Sequence, residues 1–381
     1  MKDLIEAKET ITKIWYEAVN HVKGEKAVQT SLENTSIPKP DQILAIGKAA
    51  PSMMKAVITH YQSEQNLING LVITKYNHSE DLPSHIKQYE CGHPIPDENS
   101  LQAGQAALNL VSSMQEDTHL LLLISGGASS VAEVLKEGTE INDLLTLNTE
   151  LLKSGADIET INTKRKALSK IKGGKLLANF KGKSIHVLAI SDVPNGNLEV
   201  LGSGIGSGYL INEKQTNYQS LLAATNETAR QKAEMVAKQS GLKVIENSEC
   251  LYDDIIPLSE ALSERLKNGP NGIYIWGGEP TVKLPENPGK GGRNQALGLL
   301  LAKHIQGEDN IAMLVAGTDG TDGPTNAAGA IIDGNTFSNE SSALNAIKNA
   351  NATPYLKSQD ALFTSGPTGT NVMDLIIALK Y

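Results

Sequence analysis

The side chains best suited to act on a phosphate are gathered between Gly277 and Asp322, where Glu279, Arg293, Asp319 and Asp322 stand among Gly-rich turns. Glycine lets backbone N–H groups turn towards an anion, and arginine grips phosphate or carboxylate through paired donors. Phosphoryl transfer asks for charge neutralisation and positioning more than for a covalent partner, so it is the chemistry this set would serve. Further candidates lie upstream: Lys48 in GKAA, His93 in GHPIPD, the turn Ser125, Gly126, Gly127, Ala128, Ser129, and Asp192 ahead of VPNG.

These groups need elements to hold them. The apolar run GIYIWGG predicts a buried strand from Ile273 to Trp276 that delivers Glu279 to its C-terminal edge. The loop KLPENPGKGG is irregular, with Gly289, Gly291 and Gly292 free to aim their N–H groups. Arg293 and Asn294 then open a helix, RNQALGLLLAKHI, whose positive dipole end favours an anion. A second strand, IAMLVAG, sets Thr318, Asp319 and Asp322 at the same kind of edge, where ligands sit in open α/β sheets. Each Gly-rich loop alone makes only a tight turn, and Arg293 alone pairs with a carboxylate; it is the combination that points to a site.

The N-terminal half repeats the pattern. QILAIG reads as a strand and PSMMKAVITHY as a helix, so Lys48 sits at the handover, where its charge opposes the helix dipole. NGLVITK and the run from Ile86 give further strands, with Asp97, Asn99 and Ser100 as caps for LQAGQAALNLVSSM. HLLLLIS runs into Ser125, Gly126, Gly127 and Ser129, a generic anion cradle. A nucleophile elbow is not met, since Ser129 is followed by Ser130 and Val131. INTKRKALSKIKGGKLLA predicts a basic amphipathic helix interrupted by Gly173 and Gly174; its Arg165 and Lys172 attract an acidic ligand or belong to a solvated face. Asp192 ends the strand HVLAIS, QSLLAATNETARQKAEMVAKQSG reads as a helix, and a final strand follows GPTGTNV.

A chain of 381 residues exceeds one core, so two domains are expected. With 40% hydrophobic and 20% charged residues it is globular, and with 4% aromatics its cores are aliphatic. A net charge of −9 argues against nucleic acid and anionic membrane as partners. The N-terminus carries acidic residues and an amphipathic period, not a signal peptide, and no apolar run spans a bilayer. Cys91 and Cys250 lack metal or redox spacing, and a cytoplasmic protein is predicted. Gly182, Lys183 and Ser184 imitate a Walker A ending, but Leu177 stands where glycine is required. GSGIGSG fails the dinucleotide fingerprint by its alternate spacing.

GGEPTV, GKGGRNQ, AGTDGTDGPTNAAGA and GPTGTNVMDL, together with GKAA and GHPIPD, resemble the signature of the glycerate 2-kinase family, whose members were once often labelled hydroxypyruvate reductases. The resemblance runs in order from GKAA to NVMDL. It implies two α/β domains with mostly parallel, Rossmann-like sheets and an active-site cleft between them. The domains are expected at 1–240 and 241–381, with the helical segment 1–35 a candidate to pack on the second. ATP, Mg²⁺ and D-glycerate are the implied nucleotide, metal and substrate, with 2-phosphoglycerate as product; a homodimer is left open.

Lys48 and Arg293 would then act on the transferring phosphoryl, Arg293 alternatively clamping the substrate carboxylate. Asp192 is the first choice for metal ligand or base to the substrate hydroxyl, with Asp319, Asp322 and Glu279 as its competitors and Glu279 the second metal candidate. Ser125, Gly126, Gly127, Ser129, Gly291, Gly292, Asn294, Thr318, Asp319 and Asp322 would line the phosphate and substrate site. Arg165 and Lys172 match the N-x-x-R-K-x-L-S-x-x-K-G-G pattern, and His93 lines the site. There are departures: Asn195, Gly196 and Asn197 replace the acidic run after DVP, and Ala128 and Ala296 replace glycine and glutamate. They keep two rivals in view, a kinase of another small hydroxy acid and a nucleotide-binding protein with little turnover. A nicotinamide-dependent hydroxypyruvate reductase is a further alternative, which no dinucleotide fingerprint in this sequence supports.

Overall fold

A computed structural model describes residues 4–61, 68–153, 158–212 and 214–381. Residues 1–3 of the expected first helix and the side chains of Ile161, Asn162 and Asn195 lie outside this description. The chain forms two compact units: Lys23–Thr225 with Gly369–Asn371, and Met1–Val22 with Asn226–Thr368 and Val372–Tyr381. The division falls at Thr225/Asn226, not near residue 240, because the helix starting at Asn226 packs on strands of the latter unit. The first helix, α1 (Leu4–His21), belongs to that unit as well.

The Lys23–Thr225 unit holds β1 (Gln42–Ile46), β2 (Asn69–Lys75), β3 (Ile86–Cys91), β4 (His119–Ser125), β5 (Ser184–Ile190) and β6 (Asn217–Ala224) in one sheet, ordered β3-β2-β1-β4-β5-β6. All neighbours are parallel. Around it lie α2 (Gly24–Asn34), α3 (Ala50–Tyr61), α4 (Glu98–Ser113), α5 (Ala128–Val131), α6 (Ile141–Lys153) and α7 (Ile158–Leu168). Parallel strands covered on both faces need continuous apolar runs, and Leu44, Ile46, Leu122, Ile124 and Val187 share one core with Ala103 and Ala107 of α4. Asp97 and Ser100 close a capping box at the start of α4, as the sequence suggests. The strand order turns about β1 and β4, so the loops that follow these strands flank a topological switch point. Residues 219–224, read as helix, are instead β6, which completes the sheet beside β5.

In the other unit follow α8 (Asn226–Gln239), β7 (Val244–Leu251), α9 (Ile255–Asn268), β8 (Gly272–Gly278), α10 (Arg293–His304), β9 (Ile311–Gly317), β10 (Gly329–Asp333), α11 (Glu340–Lys348), α12 (Ala352–Ser358), β11 (Leu362–Phe363) and β12 (Asp374–Lys380). The sheet order is β11-β10-β9-β12-β8-β7. Only β7 and β8 pair in parallel; β12 enters between β8 and β9 in the opposite sense, so this sheet is mixed, not mostly parallel. One face is covered by α9 and α10, through Leu262, Leu297 and Leu301 against Trp276 and Val315. The other is covered by α1 and α8, where Ile11, Ile14 and Trp15 pack with Ile275, Leu314 and Ile377. No helix among the described residues is long and apolar enough to cross a membrane.

Candidate active site

In the parallel-sheet unit the site grows from the ends of β1 and β4. Gly47 has φ +123, and a Cβ there would lie 2.4 Å from the Ser125 carbonyl, so only glycine brings the two strand ends this close. The Lys48 N–H donates to Gly126 O at 2.9 Å and the Ala49 N–H to Ser125 Oγ at 3.0 Å. Lys48 is thereby fixed beside the glycine pair. Gly127 caps α5 in the left-handed region, and a Cβ on it would meet the His93 ring at 3.0 Å and Lys48 Cγ at 3.2 Å. A Cβ on Gly126 would fall 1.9 Å from Asp192 Oδ2 and 2.3 Å from Asn371 Nδ2. Asn371 Nδ2 donates to that Asp192 oxygen at 2.9 Å. Lys48, His93, Asp192 and Asn371 therefore converge on Gly126 and Gly127, at the C-terminal edge of the parallel sheet.

In the mixed-sheet unit the centre is Arg293. Its Nε and Nη2 donate to Asp374 Oδ2 at 3.1 and 2.8 Å, and its Nη1 donates to Glu279 Oε1 at 2.9 Å. Asp374 reaches this point because β12 runs against β8 and β9, placing its first residue opposite Gly278 and Gly317 at their C-terminal ends. Burial pushes the Asp374 carboxyl up to about 7, against the pull of Arg293, and Glu279 adds to the rise. Burial works against the Arg293 charge, but the Asp374 and Glu279 carboxylates outweigh it and raise its pKa. Those three bonds engage three of the five guanidinium N–H groups.

Several residues expected to meet a ligand are engaged by the protein. Asp322 accepts the N–H groups of Asn294 and Gln295 at 3.0 and 2.8 Å, so the dipole end of α10 already has its anion. Burial raises the Asp322 pKa while these donors oppose the rise. Gly292 is required because a Cβ would strike Asp322 at 2.2 Å, and in the preceding turn two N–H groups are already engaged, Gly289 N donating to Asn349 O and Lys290 N to Asn351 Oδ1. Asn294 is buried, its Nδ2 donating to Asp374 Oδ1 at 2.8 Å. Thr318 holds Met373, a non-glycine residue at φ 66, by donating from Oγ1 to its carbonyl at 2.6 Å. Asp319 closes a turn on Thr321. Ser125 is fully buried, and Lys172 is buried with its ammonium on Glu133.

Ser129, Arg165, Gly291 and the Gly126–Gly127 pair remain at least partly open or in contact with Lys48 and Asp192. Asp374 and Asn371, which hold Arg293 and Asp192, were not among the sequence candidates, although both lie in the GTNVMDL string. Their signal was a polar residue on either side of Val372 and Met373, ahead of the apolar strand. Among the described residues no three His, Cys, Asp or Glu side chains gather as metal ligands.

Known proteins resemble this chain along most of its length. Residues 10–237 match a domain of unknown function (DUF4147), and residues 272–374 match the MOFRL family. D-glycerate 2-kinase of Thermotoga maritima is 33% identical, with 95% of each chain covered. Glycerate 2-kinase of Pyrococcus horikoshii is 34% identical over 88% of this chain and 86% of its own. The crystal structure of a glycerate kinase from Thermotoga maritima superposes with a TM-score of 0.84 at 33% identity, covering 98% of this chain and 99% of that one.

Proposed function

Because this chain belongs to the glycerate 2-kinase family, we propose that it transfers the γ-phosphoryl group of ATP to the 2-hydroxyl of D-glycerate. The observation that carries the reading is the convergence of Lys48, His93 and Asp192 on the Gly126–Gly127 turn at a sheet switch point.

The turn supplies close backbone approach for phosphate, and Lys48 supplies the positive charge that the transferring group needs. Arg293, held by Asp374 and Glu279, offers its remaining N–H pair to the glycerate carboxylate or to phosphate oxygens. Asp192 would accept the substrate hydroxyl proton or hold Mg²⁺. A magnesium ion on a nucleotide is commonly bound by one or two carboxylates with phosphate oxygens, so a single Asp192 fits it without a protein cage. Glu279 suits the metal less well, since the cation of Arg293 already offsets its charge at Oε1, whereas Asn371 on Asp192 Oδ2 is a neutral amide. Bound there, the ion would neutralise charge on the nucleotide phosphates.

ADP release from Mg-ATP with D-glycerate, with phosphorus NMR of the product, tests the reading. A 2-phosphoglycerate signal that vanishes in Lys48→Ala and in Arg293→Ala is expected. Turnover intact in both variants would refute the site, and nucleotide binding without ADP release would refute the substrate.

A further inference from the structure

We infer that the buried ion pair of Glu133 with Lys172 is a positioning device for the glycine turn at Gly126–Ser129; its relevance to catalysis rests on the phosphate reading of that turn. Neither side chain is accessible, at 0% and 1%. Buried ion pairs are often no more stabilising than apolar residues of the same volume, so this one calls for a role other than stability.

The contacts close a ring. The turn leads into α5 at Ala128, and Glu133 follows α5 after Ala132. Its backbone N–H is fixed on Ser100 O at 3.0 Å, and a Cβ on Gly104 would strike its carbonyl at 2.2 Å, so α4 seats Glu133 on one side. Glu133 Oε1 accepts from Ser169 Oγ at 2.5 Å and from Val134 N at 3.0 Å, while Oε2 takes the Lys172 ammonium. The next residues, Gly173 and Gly174, have φ +65 and +80 and donate to Ser203 O and Gly204 O at 2.9 and 2.7 Å. A Cβ on Gly202, the residue before Ser203, would lie 2.9 Å from Ala128 Cβ, which returns the path to the turn. The side-chain links in this ring meet on the Glu133 carboxylate, which takes Ser169 Oγ on one oxygen and the Lys172 ammonium on the other. Apolar replacements would fill its space without fixing direction.

The test uses the full chain with both residues replaced, Glu133→Leu/Lys172→Met, followed by amide hydrogen exchange, calorimetry with Mg-ATP and thermal unfolding. The expected result is a Tm within about 3 °C of wild type, exchange at residues 126–131 and 202–206 faster by about tenfold, and a Kd for Mg-ATP weaker by about tenfold. Unchanged exchange in a folded double variant would overturn the inference and leave the pair a packing feature. Should the double variant not fold, Ser169→Ala decides. It keeps both charges and removes the hydroxyl that donates to Glu133 Oε1 and accepts from Ile171 N and Lys172 N at 3.2 and 3.1 Å, which frees the Glu133 carboxylate and the Lys172 backbone to shift; it should therefore loosen the same amides, and no change there would overturn the inference equally. Wild-type protein that fails to bind Mg-ATP would instead sink the phosphate reading, since the exchange result does not depend on nucleotide.

Discussion

Asp374 accepts both Nε and Nη2 of Arg293 on one oxygen, Oδ2, while its other oxygen accepts Asn294 Nδ2. The first residue of a strand thus orients the guanidinium of a helix N-terminus. Asp374→Asn keeps the shape and removes the charge, turning two charge-assisted bonds into weaker or mismatched ones. Loss of about 2–3 kcal/mol of transition-state positioning, roughly a 100-fold fall in kcat/KM, is expected. Steady-state ADP release measures it, and wild-type kinetics in this variant would show that Glu279 alone suffices.

The same residue sets a pH dependence with opposite signs for stability and activity. With its carboxyl pushed up to about 7 by burial, Asp374 holds a proton in the fold where the unfolded chain, with a value near 4, has lost it. Its stabilising contribution is full below the unfolded value and is lost as pH rises through about 7, by ~1.4 kcal/mol per unit across that window. All three bonds that Asp374 accepts from Arg293 and Asn294 suit the ionised carboxylate, so kcat/KM should rise towards a plateau through the same range. Tm at pH 5 and pH 8, and a pH–rate profile, check both slopes against Asp374→Asn. Identical slopes in the two proteins would rule out Asp374 as the titrating group.

Gly126 is expected to tolerate no side chain. Its Cβ would overlap Asp192 Oδ2 and Asn371 Nδ2 at 1.9 and 2.3 Å, so Gly126→Ala must displace the carboxylate or break its bond. Activity should fall by roughly 100-fold, since misplacement of about 1 Å in a catalytic group has that effect. The loss of stability should stay at about 1–3 kcal/mol, the range for overpacking. Activity and urea midpoints of Gly126→Ala decide; a fully active variant would mean that Asp192 is not held there for catalysis.

Much of this was legible beforehand where local chemistry decides. Lys48 at a strand-to-helix handover, the strand from Ile273, and the Asp97 cap each follow from near neighbours in sequence. What escaped depends on pairings between distant segments. Asp374 joins Arg293 from 81 residues away, and Asn371 joins Asp192 from 179 residues away, through a strand whose direction no local pattern gives. The mixed sheet was missed for the same reason, since an apolar run such as that from Leu375 suits a parallel or antiparallel neighbour equally. Lys172 illustrates a further limit. A basic segment reads as a solvated or ligand-facing surface until a buried Glu133 is found opposite it.

Asp322 separates two roles for the start of α10. The loop glycines and the helix dipole together look like an anion site, yet the carboxylate of Asp322 already bonds Asn294 N, Gln295 N and Gln295 Nε2, the last at 3.0 Å. If that internal anion is what the glycines serve, Asp322→Ala leaves buried donors unpaired and removes a favourable charge from the helix end. A loss of about 2–4 kcal/mol of unfolding free energy is expected, on the scale of a buried charge-assisted network. The Kd for Mg-ATP should change far less than in Lys48→Ala. Urea unfolding and calorimetric titration measure the two effects on the same sample. Unchanged stability with nucleotide binding abolished would reverse the assignment and return Asp322 to the ligand side of the site.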